Sequence, residues 1–99
     1  SRAYYAWKSA GIDIAFGGST TAAAEAQGLK GKSVKEENLQ PGDLIFYNYT
    51  TNGRYKNITH IEIYTGGAKD VSASSRYGKV VHYGYGKGDS VVLVARPTK

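Results

Sequence analysis

The sequence carries two histidines, His60 and His82, and no cysteine. An imidazole can shuttle a proton, bind a metal, or sit in a packed sheet as a structural group. His60 falls inside "ITHIEIYTGG" (58–67), a run rich in strand-forming residues. Side chains alternate along a strand, so His60 and Glu62 share one face while Ile61 and Ile63 share the other. The isoleucine face reads as core, which leaves His60 facing either the N-terminal helices or solvent. His82, in "KVVHYGYG" near the end of the chain, stands among tyrosines and reads as structural. Two histidines so far apart, with no thiol, make a poor zinc set even with Glu62 or Asp43 added, so no metal site and no cofactor are expected.

The elements that must position these residues follow from local pattern. "SRAYYAWKSAG" (1–11) repeats Ala3, Ala6, Trp7 and Ala10 at helical spacing, with Gly11 placed to stop the helix. "GGSTTAAAEAQG" (17–28) reads as a short, narrow, alanine-rich second helix, capped by Ser19 or Thr20 and ended by Gly28. A polar connection (29–42) closes at Pro41-Gly42, and Asp43 is expected to bond turn backbone there. Five strand-like runs come next: "DLIFYNY", "ITHIEIYTGG", "DVSAS", "KVVHYGY" and "SVVLVARP". The order predicts an α+β fold in which two N-terminal helices pack on a meandering antiparallel sheet of about five strands. Residues 86–90, "GKGDS", lack the spacing of a phosphate-binding loop and read as a hairpin turn. The 99 residues are expected to form one domain.

Composition narrows the partners. The net charge of +5 and a pI near 9.5 favour an anionic partner such as nucleic acid, anionic lipid or bacterial wall. The basic residues are scattered, however, as on an ordinary solvated surface. No apolar run approaches the length needed to cross a bilayer, so no membrane insertion is expected. Nine tyrosines, seven of them in the strand-rich half, could stack single-stranded bases. No nucleic-acid motif accompanies them, and tyrosine is in any case a good strand residue whose ring packs while its hydroxyl stays wet. Nucleic acid is therefore not the expected partner.

The order of the pieces is more informative than any one of them. "LQPGDLIFY", then a loop, then "ITHIEIYTGG" and "DVSAS" resemble the NlpC family of papain-like cell-wall cysteine peptidases. In that family a Pro-Gly-Asp-Leu strand precedes a strand opening with the catalytic histidine. "YYAWKSAGI" is similar to the family's nucleophile helix, and "STTAAAEAQG" to the short helix after it. The likeness runs from Ser1 to about Ser75. It implies that His60 is the general base, holding a cysteine as thiolate and later protonating the leaving amine. It also places the third polar residue, which orients the base, at Ser72, where relatives commonly carry histidine. Serine is short and uncharged, and His82 is the alternative orienting residue if its strand folds back alongside. Glu62 stands where Gly or Ala is usual; it either adjoins His60 or faces solvent. Tyr47, Tyr49 and Glu62 are the expected substrate-binding residues. Counting back from "AWKSAGI" puts the family's nucleophile about two positions before Ser1, so the domain is expected to be incomplete at its N-terminus and inactive alone. Association through the surface thereby exposed is expected.

The resemblance implies a peptidoglycan endopeptidase that cleaves stem peptides by thiol acyl transfer, at the cell wall or outside the cell. Two other readings stay open. One is a non-catalytic wall-peptide-binding module of the same ancestry, and the other is a single-stranded nucleic-acid binder.

Overall fold

The computed structural model describes residues 2–13, 21–66, 70–74, 80–84 and 90–99, and for 70–74 and 80–84 the backbone pairing alone. Helix α1 (Arg2–Ser9) and helix α2 (Ala22–Gly28) precede strands β1 (Leu44–Tyr47), β2 (His60–Gly66), β3 (Asp70–Ser74), β4 (Val80–Gly84) and β5 (Val91–Ala95). The strands form one sheet in the order β4-β3-β2-β1-β5, antiparallel throughout. The fold is thus α+β, two helices on an antiparallel sheet.

Helix α1 ends as its glycine predicts. Gly11 takes φ +92°, Gly11 N–H donates to Lys8 O and Ile12 N–H to Trp7 O, both at 2.9 Å. That pair of bonds is a Schellman closure, which needs a left-handed residue that glycine adopts without strain. Helix α2 is capped differently from expectation. The cap is Thr21, whose Oγ1 accepts the Ala24 N–H at 3.3 Å, while Ser19 and Thr20 lie outside the described residues. Its far end closes on Leu29, with no left-handed glycine at Gly28. Leu29 is buried, so apolar packing marks this end.

Each helix buries its small residues against one face of the sheet. Ala3 of α1 and Ala23 and Ala26 of α2 pack with Leu44, Phe46, Ile58 and Ala95, flanked by Trp7, Ile61 and Ile63. Alanine lets the short α2 approach closely, and Phe46 and Leu44 fill the space that remains. The opposite face carries a smaller cluster of Ile45, Tyr47 and Val94, covered by Val34, Leu39, Tyr64 and Val91. Both faces of β1 are therefore buried along its whole length.

The connection 29–42 does more than link. Ser33 bridges Ala95, Val34 N–H donates to Val94 O, and Arg96 N–H donates to Lys32 O, so this segment runs along the outer edge of β5. Covering an edge in this way removes free backbone donors that another chain could pair with. Its polar composition hid two half-buried contacts, Val34 and Leu39, on the second face.

One connection differs from expectation. Residues 85–89 lie outside the described residues, but β4 and β5 occupy opposite edges of the sheet, so "GKGDS" does not join two paired strands as a hairpin turn. The sheet meanders from β1 to β4, and β5 then returns to pair with β1. Leu44 and Phe46 gain from this return, because β5 supplies their second backbone neighbour.

Candidate active site

His60 opens β2, where its backbone pairs directly with Tyr47 of β1. The preceding loop is knitted by asparagines that fix where β2 begins. Asn57 Oδ1 accepts the Asn52 and Gly53 N–H groups, Asn52 Oδ1 accepts the Arg54 N–H, and Asn52 Nδ2 donates to Ile58 O. Lys56 and Asn57 both take positive φ, and Asn tolerates that conformation because its short amide bonds locally. Thr59 completes the junction: its N–H donates to Tyr47 O, and its Oγ1 accepts the Tyr49 N–H.

Two side chains, those of His60 and Tyr47, converge on the carboxyl group of Glu62. His60 Nε2 lies 3.0 Å from Glu62 Oε1, and the Tyr47 hydroxyl donates to Glu62 Oε2 at 2.8 Å. Strand alternation brings His60 and Glu62 to one face, and the pairing of Tyr47 with His60 brings the phenol to the same place. Glu62 is 2% exposed, whereas the His60 side chain is 32% exposed. The carboxyl group is therefore interior and the imidazole reaches the surface. A buried carboxylate is costly unless its oxygens are bonded, and here each oxygen has a partner.

Aromatic rings frame the imidazole. Tyr47 and Tyr49 stack with centroids 5.5 Å apart and planes inclined 17°, and each lies 5.9 Å from the His60 ring. Tyr49 is largely exposed and Tyr47 is buried. Burial first, and the nearby Glu62 charge second, push the Tyr49 phenol above its ordinary value, so it stays a neutral donor. Of the residues expected to bind substrate, Tyr49 offers ring surface beside His60, whereas Tyr47 and Glu62 face one another inside.

The helices occupy the isoleucine face, so His60, on the other face, meets tyrosines and does not face α1 across the sheet. The reason is apolar area: Phe46, Ile61 and Ile63 offer α1 and α2 more to bury than a face bearing His60 and Glu62. Glu62, for which solvent exposure was one reading, is interior and adjoins His60.

Ser72 pairs with Ile63 of β2 on one side and with His82 of β4 on the other. The strand carrying His82 folds back beside β3, not beside β2. The side chains of Ser72 and His82 lie outside the described residues. Asp43 bonds the turn as expected, its Oδ2 accepting the Gln40 N–H at 2.8 Å. The sequence did not reveal that Arg96 also grips Asp43, which holds the guanidinium above its ordinary value. Nor did it reveal that Tyr47 holds Glu62. The period-two pattern placed 60 and 62 together, but only the register of β1 against β2 adds residue 47. Among the described residues no three His, Asp or Glu side chains group so as to hold a metal ion. No helix among them is long and apolar enough to cross a membrane.

Comparison with known proteins agrees with this architecture. The NlpC/P60 family model matches residues 3–92. The crystal structure of an NlpC/P60 family protein from Bacillus cereus ATCC 10987 superposes with a TM-score of 0.72 at 21% identity, covering 96% of this chain and 30% of that one. The chain thus spans under a third of the length of that protein, and at this identity the likeness concerns the fold. No curated protein matches the sequence. With Pro41-Gly42-Asp43 leading into β1, a β2 that opens on His60, and a family match over residues 3–92, the chain belongs to the NlpC/P60 family.

Proposed function

We propose that this chain is the core of a peptidoglycan endopeptidase domain in which His60 is the general base for a thiol nucleophile. The reading rests on one observation above others: in a chain of this family, a partly exposed imidazole heads β2 with one ring nitrogen engaged by a carboxyl group. A thiolate attacks the stem-peptide carbonyl, the amine leaves with a proton from the imidazole, and water then hydrolyses the thioester. The thiol belongs to sequence outside these 99 residues, none of which is cysteine. The net charge of +5 suits an anionic partner such as the wall, and on this reading the protein works at the wall or outside the cell.

The test is hydrolysis of purified muropeptides by the protein carrying whatever its gene encodes before Ser1. Thiol-reagent-sensitive turnover that His60→Ala abolishes, with an unchanged circular dichroism spectrum, is the expected result. Undiminished turnover in His60→Ala would sink the reading. The 99-residue chain alone is expected to hydrolyse nothing.

A second reading draws on the absence of cysteine from the chain: a non-catalytic module that binds wall peptides with the Tyr49 and His60 surface. Muropeptide binding by the gene-encoded protein, without turnover and weakened by Tyr49→Ala, would favour it.

A further inference from the structure

We infer that Glu62, itself held by Tyr47, is the positioning residue that fixes the tautomer and orientation of His60, a role that rests on the reading of His60 as general base. Three independent observations converge on it. Glu62 is interior, it lies two residues along the same strand from His60, and its two oxygens are divided between His60 Nε2 and the Tyr47 hydroxyl.

The division of oxygens decides where the proton sits. A phenol hydroxyl in this arrangement donates, so Oε2 is an acceptor. Between Oε1 and Nε2 only one proton is shared, and a carboxylate that already accepts the phenol's hydrogen bond on Oε2 is favoured in its ionised, accepting form. The proton therefore resides on Nε2, which donates to Oε1. In the neutral ring this leaves the lone pair on Nδ1, so Nδ1 is the atom able to accept a proton from a nucleophile. Glu62 also stabilises the imidazolium formed on proton transfer, as an acceptor placed on the ring's far nitrogen does in acyl-transfer sites.

The geometry restrains the ring as well as its protons. The rings of Tyr47 and Tyr49 lie 5.9 Å from the imidazole at inclinations of 44° and 34°, and they limit rotation away from Glu62. Tyr47 in turn is fixed by its burial on β1, so the order of support runs from strand to phenol to carboxylate to imidazole. This places the orienting group on the strand of the base itself, two residues on.

Nitrogen-15 NMR of the 99-residue chain tests this without any activity assay. In mildly alkaline buffer, long-range proton–nitrogen spectra distinguish the two neutral tautomers, and His82→Gln assigns the ring signals. The expected result is a single Nε2–H tautomer for His60, with a slowly exchanging downfield Nε2 proton. Glu62→Gln, which keeps an acceptor oxygen of the same shape, is expected to retain that proton signal. Glu62→Met is expected to lose it and to shift the ring toward the tautomer mixture of an unrestrained imidazole. A His60 ring protonated on Nδ1 in the unsubstituted chain would overturn the inference, whatever the variants do. So would a Glu62→Met spectrum identical to the parent. A held Nε2–H tautomer in a protein that turns over no muropeptide would support the Glu62 assignment and remove only the enzymatic reading.

Discussion

Arg96 closes on Asp43 through two hydrogen bonds, Nε to Oδ1 at 2.8 Å and Nη2 to Oδ2 at 2.9 Å, tying the residue after β5 to the turn before β1. Asp43 is interior and also accepts the Gln40 N–H, so its carboxylate serves two segments at once. Asp43→Ala removes that acceptor and orphans the amide. A loss of about 2 kcal/mol in unfolding free energy is expected, measured by chemical denaturation. Arg96→Ala also destabilises, and the double variant costs less than the two singles together, because both remove one contact.

The turn beside Asp43 reports on α1. Gly42 takes φ +93°, its carbonyl accepts the Trp7 indole N–H at 3.2 Å, and a Cβ there would meet the Trp7 ring at 3.4 Å. Gly42→Ala forces a left-handed conformation on an L-residue, costing about 1–2 kcal/mol. Trp7 is the chain's single tryptophan, so all indole emission comes from this site. A red shift on substitution is expected; unchanged emission would show that the indole does not rest on Gly42.

Phe46 is fully buried between α2 and the middle of the sheet. Phe46→Ala is expected to cost about 3–5 kcal/mol through lost burial and the cavity left behind, a large share of the stability of a small domain. Thermal unfolding followed by circular dichroism measures it.

What the sequence disclosed and what it withheld divide along physical lines. Helix and strand identity were legible because α1 and β2 carry their periodicity in adjacent residues, and Gly11 stops α1 by a local bond pattern. The pairing of His60 with Glu62 by face was legible for the same reason. The partner of β5, the packing of Val34 and Leu39 on the second face, and the grip of Tyr47 on Glu62 were not. Each depends on register between segments distant along the chain, and a register shift of one residue would reverse every face. The helices' choice of the isoleucine face over the His60 face was likewise a tertiary outcome, set by which surface had more apolar area to bury.

The raised Tyr49 phenol gives a pH dependence of known sign. Its neutral form is favoured in the fold, first by burial and then by the Glu62 charge. The folded chain therefore holds this proton more tightly than the unfolded chain, whose tyrosines ionise near their ordinary value of about 10. The contribution is fully present below that pH and is lost as pH rises through the folded value. Ultraviolet titration of tyrosinate is expected to show a late step that Tyr49→Phe removes. Survival of that step in the variant would assign it to another phenol.

The return of β5 to β1 sets a timetable for synthesis. Leu44 pairs with Ala95, about fifty positions further on, so β1 has a backbone neighbour on one side only until nearly the whole stretch has left the ribosome. During that interval an apolar strand, Leu44–Tyr47, presents an open edge that neighbouring nascent chains could join. The site does not share this delay: Tyr47 pairs with His60 on the neighbouring β2, so its hold on Glu62 needs no part of β5.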